Sequence, residues 1–264
     1  MPEDQYTHGH HRSVVEAHAT RTIANSAAYL EPHLVPGAQL LDVGCGPGSI
    51  TVEFGARVGD ENVLGIDLGA DVIEQAAAAY ADRGIRFEVQ DLYALDADDD
   101  TYDIVHAHQV LQHVSDPVAA LAEMKRVCKP GGTVAVRDAD YAAMHWAPQS
   151  DRLDEWQRIY RAVAYANDAE PDAGRWLLGW ARQAGFTDIT PSIDTWLFAD
   201  DASREWWGGT WSRRVIESAL AAQAVEMGIA SSDELEVLSA GWQDWLAEPD
   251  GWFVVVHGQL LCRA

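Results

Sequence analysis

The stretch Leu40–Ile50, LLDVGCGPGSI, decides how this chain is read. QLLDVG has the apolar character of a short buried strand, the glycines make a turn, and helix-forming residues follow from Ile50 to Val58. A turn of this kind usually cradles a phosphate, because bare backbone N–H groups and a helix N-terminus attract negative charge. Here the residue leading into it is Asp42, which puts a carboxylate at the mouth of the cradle. A pyrophosphate beside that carboxylate is repelled, whereas a ligand carrying an ammonium or a sulfonium is held. Pro47 also removes one N–H that a phosphate would use. The spacing is G-x-G-x-G (Gly44, Gly46, Gly48), with Ser49 where the dinucleotide fingerprint has its third glycine.

On either side of this turn the hydrophobic pattern changes period. Val15, Ala19, Ile23, Ala27 and Leu30 recur at helical spacing and predict a helix from Val14 to Leu34, ended by Pro36-Gly37. After the first strand and helix come the strand NVLGIDL, a helix from Asp71 to Arg83 and the strand IRFEVQD. The acidic turn DADDD (Asp96 to Asp100), the strand YDIVHAH, a helix from Pro117 to Cys128 and the strand GTVAVRDAD follow. Strands spaced by helices of this length form βαβ units, hence an α/β fold with a parallel sheet covered on both faces. Beyond it, helices are predicted over Asp151–Asn167, Arg175–Ala184, Ser203–Met227 and Asp233–Leu246. The strands Ile189–Phe198 and GWFVVVHGQLLC bring the sheet to seven. The expected organisation is one compact domain in three parts: an N-terminal helical lid (1–37), a nucleoside-binding core (38–140), and cap insertions with the last two strands (141–264).

Composition narrows the partners. The 264 residues carry 42 acids against 18 bases, a formal charge of −24, so nucleic acid and anionic lipid are repelled at long range. No apolar run approaches the roughly 20 residues needed to cross a bilayer. MPEDQYTHGHH has no signal-peptide core, and a cytoplasmic protein is expected, monomeric or homodimeric. Cys45, Cys128 and Cys262 are far apart and form no CxxC pair, which reads as reduced thiols rather than a disulfide frame or a zinc site. His8, His10, His11 and His18 have no carboxylate or cysteine at ligand spacing, so no metal is expected.

In an open α/β sheet, ligands collect at the carboxyl ends of the strands. The polar residues there are Asp42, Asp67, Asp91, His106, His108, Gln109, Asp138 and Asp140, a rim too negative for a phosphate-rich cofactor. Asp67 lies 19 residues beyond Gly48 (67 − 48), where a carboxylate accepts both hydroxyls of a ribose. Asp91 is placed to accept from an adenine amino group, unless it only caps a turn. Leu92 is placed to pack on the ring or offer it backbone. Together these describe a nucleoside attached to something cationic.

LLDVGCGPG, the acid in LGIDL, the pair QDL, YDIVHAHQVLQHV and the turn CKPGG resemble, in order and spacing, the successive motifs of class I S-adenosylmethionine-dependent methyltransferases. YTHGHHRSVVEAHATRTIANSAAYL, GWARQAGF and WWGGTWSRRVIES further resemble a small-molecule branch grouped with the ubiquinone and menaquinone C-methyltransferases. The resemblance implies a Rossmann-like fold with a helical cap over the carboxyl ends of the strands. It also implies S-adenosylmethionine as cofactor and S-adenosylhomocysteine as product. The residues it assigns to amino acid, ribose and adenine are Gly44, Gly46 and Gly48, then Asp67, then Asp91. Asp42 would face the ammonium, Leu68 and Leu92 would flank the nucleoside, and Arg21 with Tyr6 or His11 would receive the methionyl carboxylate.

His108 and Gln109, just past the fourth strand, are expected near the reacting methyl, with Gln109 also against the cofactor. Asp138 and Tyr141, past the fifth, are expected to face the acceptor. His113 reads as a hydrogen-bonded core residue rather than a base. Of the eleven tryptophans most fill core, but Trp206, Trp207 and Trp211 are expected nearest a flat apolar pocket for an aromatic acceptor. The expected activity is methyl transfer to a small aromatic or cyclic apolar metabolite. Carbon is the favoured acceptor, as in a quinone precursor or a tryptophan-derived cyclic dipeptide, with oxygen or nitrogen behind. A NAD-dependent oxidoreductase and a non-catalytic cofactor sensor are the alternatives of another class.

Overall fold

A seven-stranded sheet of order β3-β2-β1-β4-β5-β7-β6 organises the computed structural model, which describes residues 20–264. The strands are β1 (Leu40–Val43), β2 (Val63–Asp67), β3 (Arg86–Val89), β4 (Tyr102–His108), β5 (Cys128–Ala147), β6 (Asp188–Phe198) and β7 (Trp252–Arg263). β7 runs against both of its neighbours, and every other pairing is parallel. From β1 the chain steps outward to β2 and β3, and from β4 it steps the other way. The switch point therefore lies between β1 and β4, where Asp42 is in register with His106.

Alternation along β1 explains its burial on both faces. Leu40 packs with Ile23, Leu30, Phe54 and Val58 on one side. Leu41 and Val43 pack with Leu121, Met124 and Leu177 on the other. The first layer holds α1 (Ser49–Val58) and the N-terminal segment. The second holds α3 (Pro117–Val127) and α5 (Ala173–Gln183), while α2 (Ala70–Ala79) follows β2. α3 starts where it does because the Asp116 side chain accepts from Ala119 N at 2.9 Å and Pro117 opens the first turn.

The remaining helices, α4 (Asp151–Ala166), α6 (Asp201–Glu217), α7 (Ala219–Glu226) and α8 (Ser232–Ala247), share a separate core. Trp156, Trp211 and Trp242 are fully buried in it, against Phe253 of β7.

Three expectations change in detail. The helix predicted over Ser203–Met227 is two, because Ser218 is extended (φ −93°, ψ 174°) and its hydroxyl donates back to the Arg214 carbonyl at 2.7 Å. β5 does not stop at Asp140 but runs to Ala147, since β7 pairs with it past an irregularity between Asp140 and His145. In the N-terminal segment, Ile23–Ala27 is a π-turn and Ala28–His33 a 3₁₀ helix containing Pro32, which cannot donate an α-helical hydrogen bond. The predicted helix before residue 20, with Tyr6, His8, His10, His11 and His18, lies outside the described residues. No helix among the described residues is long and apolar enough to cross a membrane.

Candidate active site

The carboxyl ends of β1 to β4 surround a cleft of about 420 Å³. Its glycine turn is demanded sterically. Gly44 has φ +64°, and a Cβ there would lie 2.4 Å from Cγ2 of Val110. Gly44 and Gly46 line the cleft, whereas Gly48 caps α1 with its back to Phe87. Gly48 is thus a hinge of the turn rather than part of the wall. Asp42 lies on the floor of the cleft, not at its mouth. It is 3% exposed, and its oxygens accept from Thr51 Oγ1 at 2.6 Å and pair with His106 Nδ1 at 2.7 Å.

Asp67 ties two loops together, accepting from Gly46 N at 3.1 Å and Gly69 N at 3.0 Å. Each carboxylate oxygen keeps further acceptor capacity toward the cleft. Asp91 Oδ1 accepts from Tyr93 N at 2.9 Å, closing a turn, and the residue also lines the cleft. Leu68, 63% exposed, and Leu92 supply apolar surface beside these acids.

Across from the glycine turn, Arg21 donates through Nη2 to Gln109 Oε1, and the Gln109 amide nitrogen lies 2.8 Å from Nε2 of His257. Gln109 is held at φ +54°, with its N–H donating to Arg137 O at 2.7 Å, a left-handed conformation that aims it at Arg21. The Arg21 guanidinium also sits 5.8 Å from the Trp196 ring, whose N–H donates to Asn25 O at 2.6 Å. His108 lines the cleft, and neither of its ring nitrogens has a partner among the described residues. Burial, then the charges of Arg21 and Arg137, holds its pKa well below the usual imidazole value, so it is neutral.

A second, smaller hollow of about 40 Å³ shares a wall with the cleft: Arg21, Gln109 and His113 line both. Its other sides are Tyr141, Met144, Trp196, Trp206, Trp207, Trp211 and Arg214. The cleft and the aromatic hollow are thus contiguous.

The methyltransferase-domain family profile matches residues 41–136. The chain is 33% identical to the methyltransferase C1B3.06c of Schizosaccharomyces pombe, over 99% of this chain and 98% of that protein. The chain belongs to the class I S-adenosylmethionine-dependent methyltransferases. The methyltransferase is also 30% identical to the probable methyltransferase ltbC of Aspergillus luteorubrus, over 98% of this chain and 96% of its relative. Its fold matches the YcgJ protein of Bacillus subtilis with a TM-score of 0.57 at 17% identity, covering 90% of this chain and 97% of that one.

One expectation about the methyltransferase's polar residues needs correction, and one is extended. Asp138 lines neither hollow: it is fully buried and accepts from Gln112 N at 3.1 Å, bracing the loop after β4. Burial pushes its pKa up to about 8, so the group is largely uncharged at neutral pH. His113 is hydrogen-bonded to Gln112 at 2.9 Å, as expected, but it also stands between the two hollows, with burial pushing its pKa down to about 3.

Tyr141 does line the second hollow, stacked 3.9 Å from Tyr160. The residues that sequence reasoning missed are Trp196, His257 and Arg214. The first two arrive on β6 and β7, far from any motif, and only the antiparallel pairing of those strands brings them to the switch point.

Proposed function

We propose that this methyltransferase transfers the methyl of S-adenosylmethionine to a small metabolite with an aromatic or cyclic apolar body, in the cytoplasm, with carbon as the favoured acceptor. The observation that carries this reading is the shared wall: a nucleoside-sized cleft and an aromatic hollow meet at Arg21, Gln109 and His113. The cleft's residues suit the cofactor. Asp67 is offered to the ribose hydroxyls, Asp91 to the adenine amino group, and Leu68 with Leu92 to the ring faces. Arg21 is offered to the methionyl carboxylate as a charge-assisted donor. The acid-rich floor disfavours a dinucleotide's phosphates, which weighs against the oxidoreductase.

Bound S-adenosylmethionine supplies a methyl group on a leaving sulfur that is already activated. The chain's task is then chiefly to hold donor and acceptor about 3–3.5 Å apart in a dry space. Neutral His108 is the group able to take a proton there, and Tyr141 positions the acceptor from the far side. Oxygen or nitrogen acceptors use the same arrangement, with His108 more directly involved.

Transfer of labelled methyl into cellular metabolite pools tests the proposal. Label in one aromatic or cyclic product is expected. Cofactor bound with no label transferred would favour a sensor instead.

A further inference from the structure

Behind the seam of cleft and hollow stands a buried imidazole. His257 of β7 is fully buried and lines neither space, yet its Nε2 lies 2.8 Å from the amide nitrogen of Gln109, which lines both. Chemistry allows that contact one polarity. A guanidinium only donates, so whatever else Arg21 touches, the Gln109 atom that meets its Nη2 is the amide oxygen. The NH2 end of Gln109 therefore points at His257, and an amide NH2 also only donates. His257 Nε2 accepts, which leaves the single ring proton on Nδ1.

The surroundings keep this ring neutral. Arg137 from β5 and Arg21 act on it as cations, and the His108 ring of β4 stacks 6.2 Å away. Asp194 of β6, in register with His257, would favour an imidazolium, but its carboxylate pairs with Arg137 at 3.4 Å and accepts from Thr195 N at 2.8 Å. Burial first, then the two arginines, holds the His257 pKa well below the usual imidazole value, against an opposing contribution from the Val255 backbone. Trp196 meets the ring edge to face with centroids 4.5 Å apart, which fixes its plane.

We propose that His257 is a positioning residue of the cofactor site: by accepting from Gln109 it turns the amide oxygen toward Arg21 and so holds the guanidinium at the seam, where the methionyl carboxylate arrives. The inference rests on the S-adenosylmethionine reading of the cleft. Without an acceptor at position 257, the Gln109 amide has no bond that favours this direction. Turned over, it sets NH2 against the guanidinium, donor against donor, and displaces Arg21.

The test compares S-adenosylhomocysteine with methylthioadenosine, which shares the nucleoside and the sulfur but lacks the amino-acid carboxylate. Calorimetry on the full chain is expected to show His257→Leu weakening S-adenosylhomocysteine about tenfold and methylthioadenosine by under about twofold. His257→Gln, whose side-chain oxygen reaches close to the place of Nε2, is expected to restore most of the loss, and the shorter His257→Asn to restore little. With Gln109→Ala already present, His257→Leu should change S-adenosylhomocysteine affinity by under about twofold. Nitrogen NMR of the wild-type histidine rings is expected to show His257 protonated on Nδ1 alone.

A proton on Nε2, no loss or equal losses for the two ligands in His257→Leu, or the same loss with Gln109 removed would overturn the positioning role while leaving the methyltransferase reading intact. If His257→Leu does not fold, the ring tautomer and the contrast between His257→Gln and His257→Asn decide: equal affinities in those two variants would overturn the role. Failure of the wild-type protein to bind S-adenosylhomocysteine would instead overturn the reading beneath it.

Discussion

The cleft and the hollow share three residues and differ in almost everything else. One is built from backbone turns and strand-end acids, about 420 Å³ in size; the other is a tenth of that, walled by indoles and two arginines. The cleft's geometry is set by loops that short β1 and β2 strands present. The hollow's is set by the cap core, where Trp211 is both a wall and a fully buried core residue. In the proposed reading, a site divided in this way holds its cofactor residues fixed while the cap varies with the acceptor.

The largest effect is expected where the hollow is also core. Trp211→Ala should lower stability by about 3–5 kcal/mol, read by denaturant unfolding, because it leaves a cavity among Trp156, Trp207 and Trp242. A loss below about 1 kcal/mol would mean that wall and core are separable after all.

Asp67→Ala should weaken S-adenosylhomocysteine binding by about 2–4 kcal/mol in calorimetry, since the acid lines the cleft and also fixes Gly46 and Gly69. Unchanged affinity would remove its role in the cleft. Gly44→Ala, which puts a methyl into Val110 at positive φ, should cost about 1–3 kcal/mol, felt in cofactor affinity more than in the acceptor hollow.

Asp138 gives a smaller effect with a definite sign. Its folded pKa of about 8 lies above the ordinary carboxylate value, so the native state binds the proton more tightly than the unfolded chain. Stability from this group is complete at low pH and is lost as pH rises toward 8. His108, His113 and His257 are held below their ordinary values by burial and act oppositely, losing stability as pH falls below about 6.5. Between pH 6.5 and 8 the two trends oppose each other, because histidine titration centred near 6.5 extends about one unit above it. Asp138→Asn should remove a contribution that falls by about 1–2 kcal/mol over that window, read as the difference between wild-type and variant unfolding free energies against pH. A difference that does not change with pH across the window would contradict the raised pKa. Least of all, Trp206→Ala, at a partly exposed wall, should change stability by under about 1 kcal/mol while altering acceptor binding.

The cleft was legible in the sequence because its residues lie at strand ends, where a period change marks the position and a glycine spacing marks the turn. Asp67 and Asp91 needed nothing more than that. Asp42 was placed correctly along the chain but not in depth, since nothing in DVG tells that Thr51 and His106 take its oxygens. The hollow was legible only in part. Trp206, Trp207 and Trp211 stand out by density, but Trp196 and His257 reach the switch point only because β7 inserts antiparallel between β5 and β6. The direction in which Asp138 points likewise depends on a loop hydrogen bond that no local pattern encodes.

The crystal structure of the protein with S-adenosylhomocysteine tests the division of the site most directly. The nucleoside should lie in the cleft with ribose hydroxyls on Asp67, adenine between Leu68 and Leu92 near Asp91, and the amino-acid carboxylate at Arg21, leaving the aromatic hollow open beyond the sulfur. Nucleoside density among Trp206, Trp207 and Arg214, or a ribose with no contact to Asp67, would contradict it.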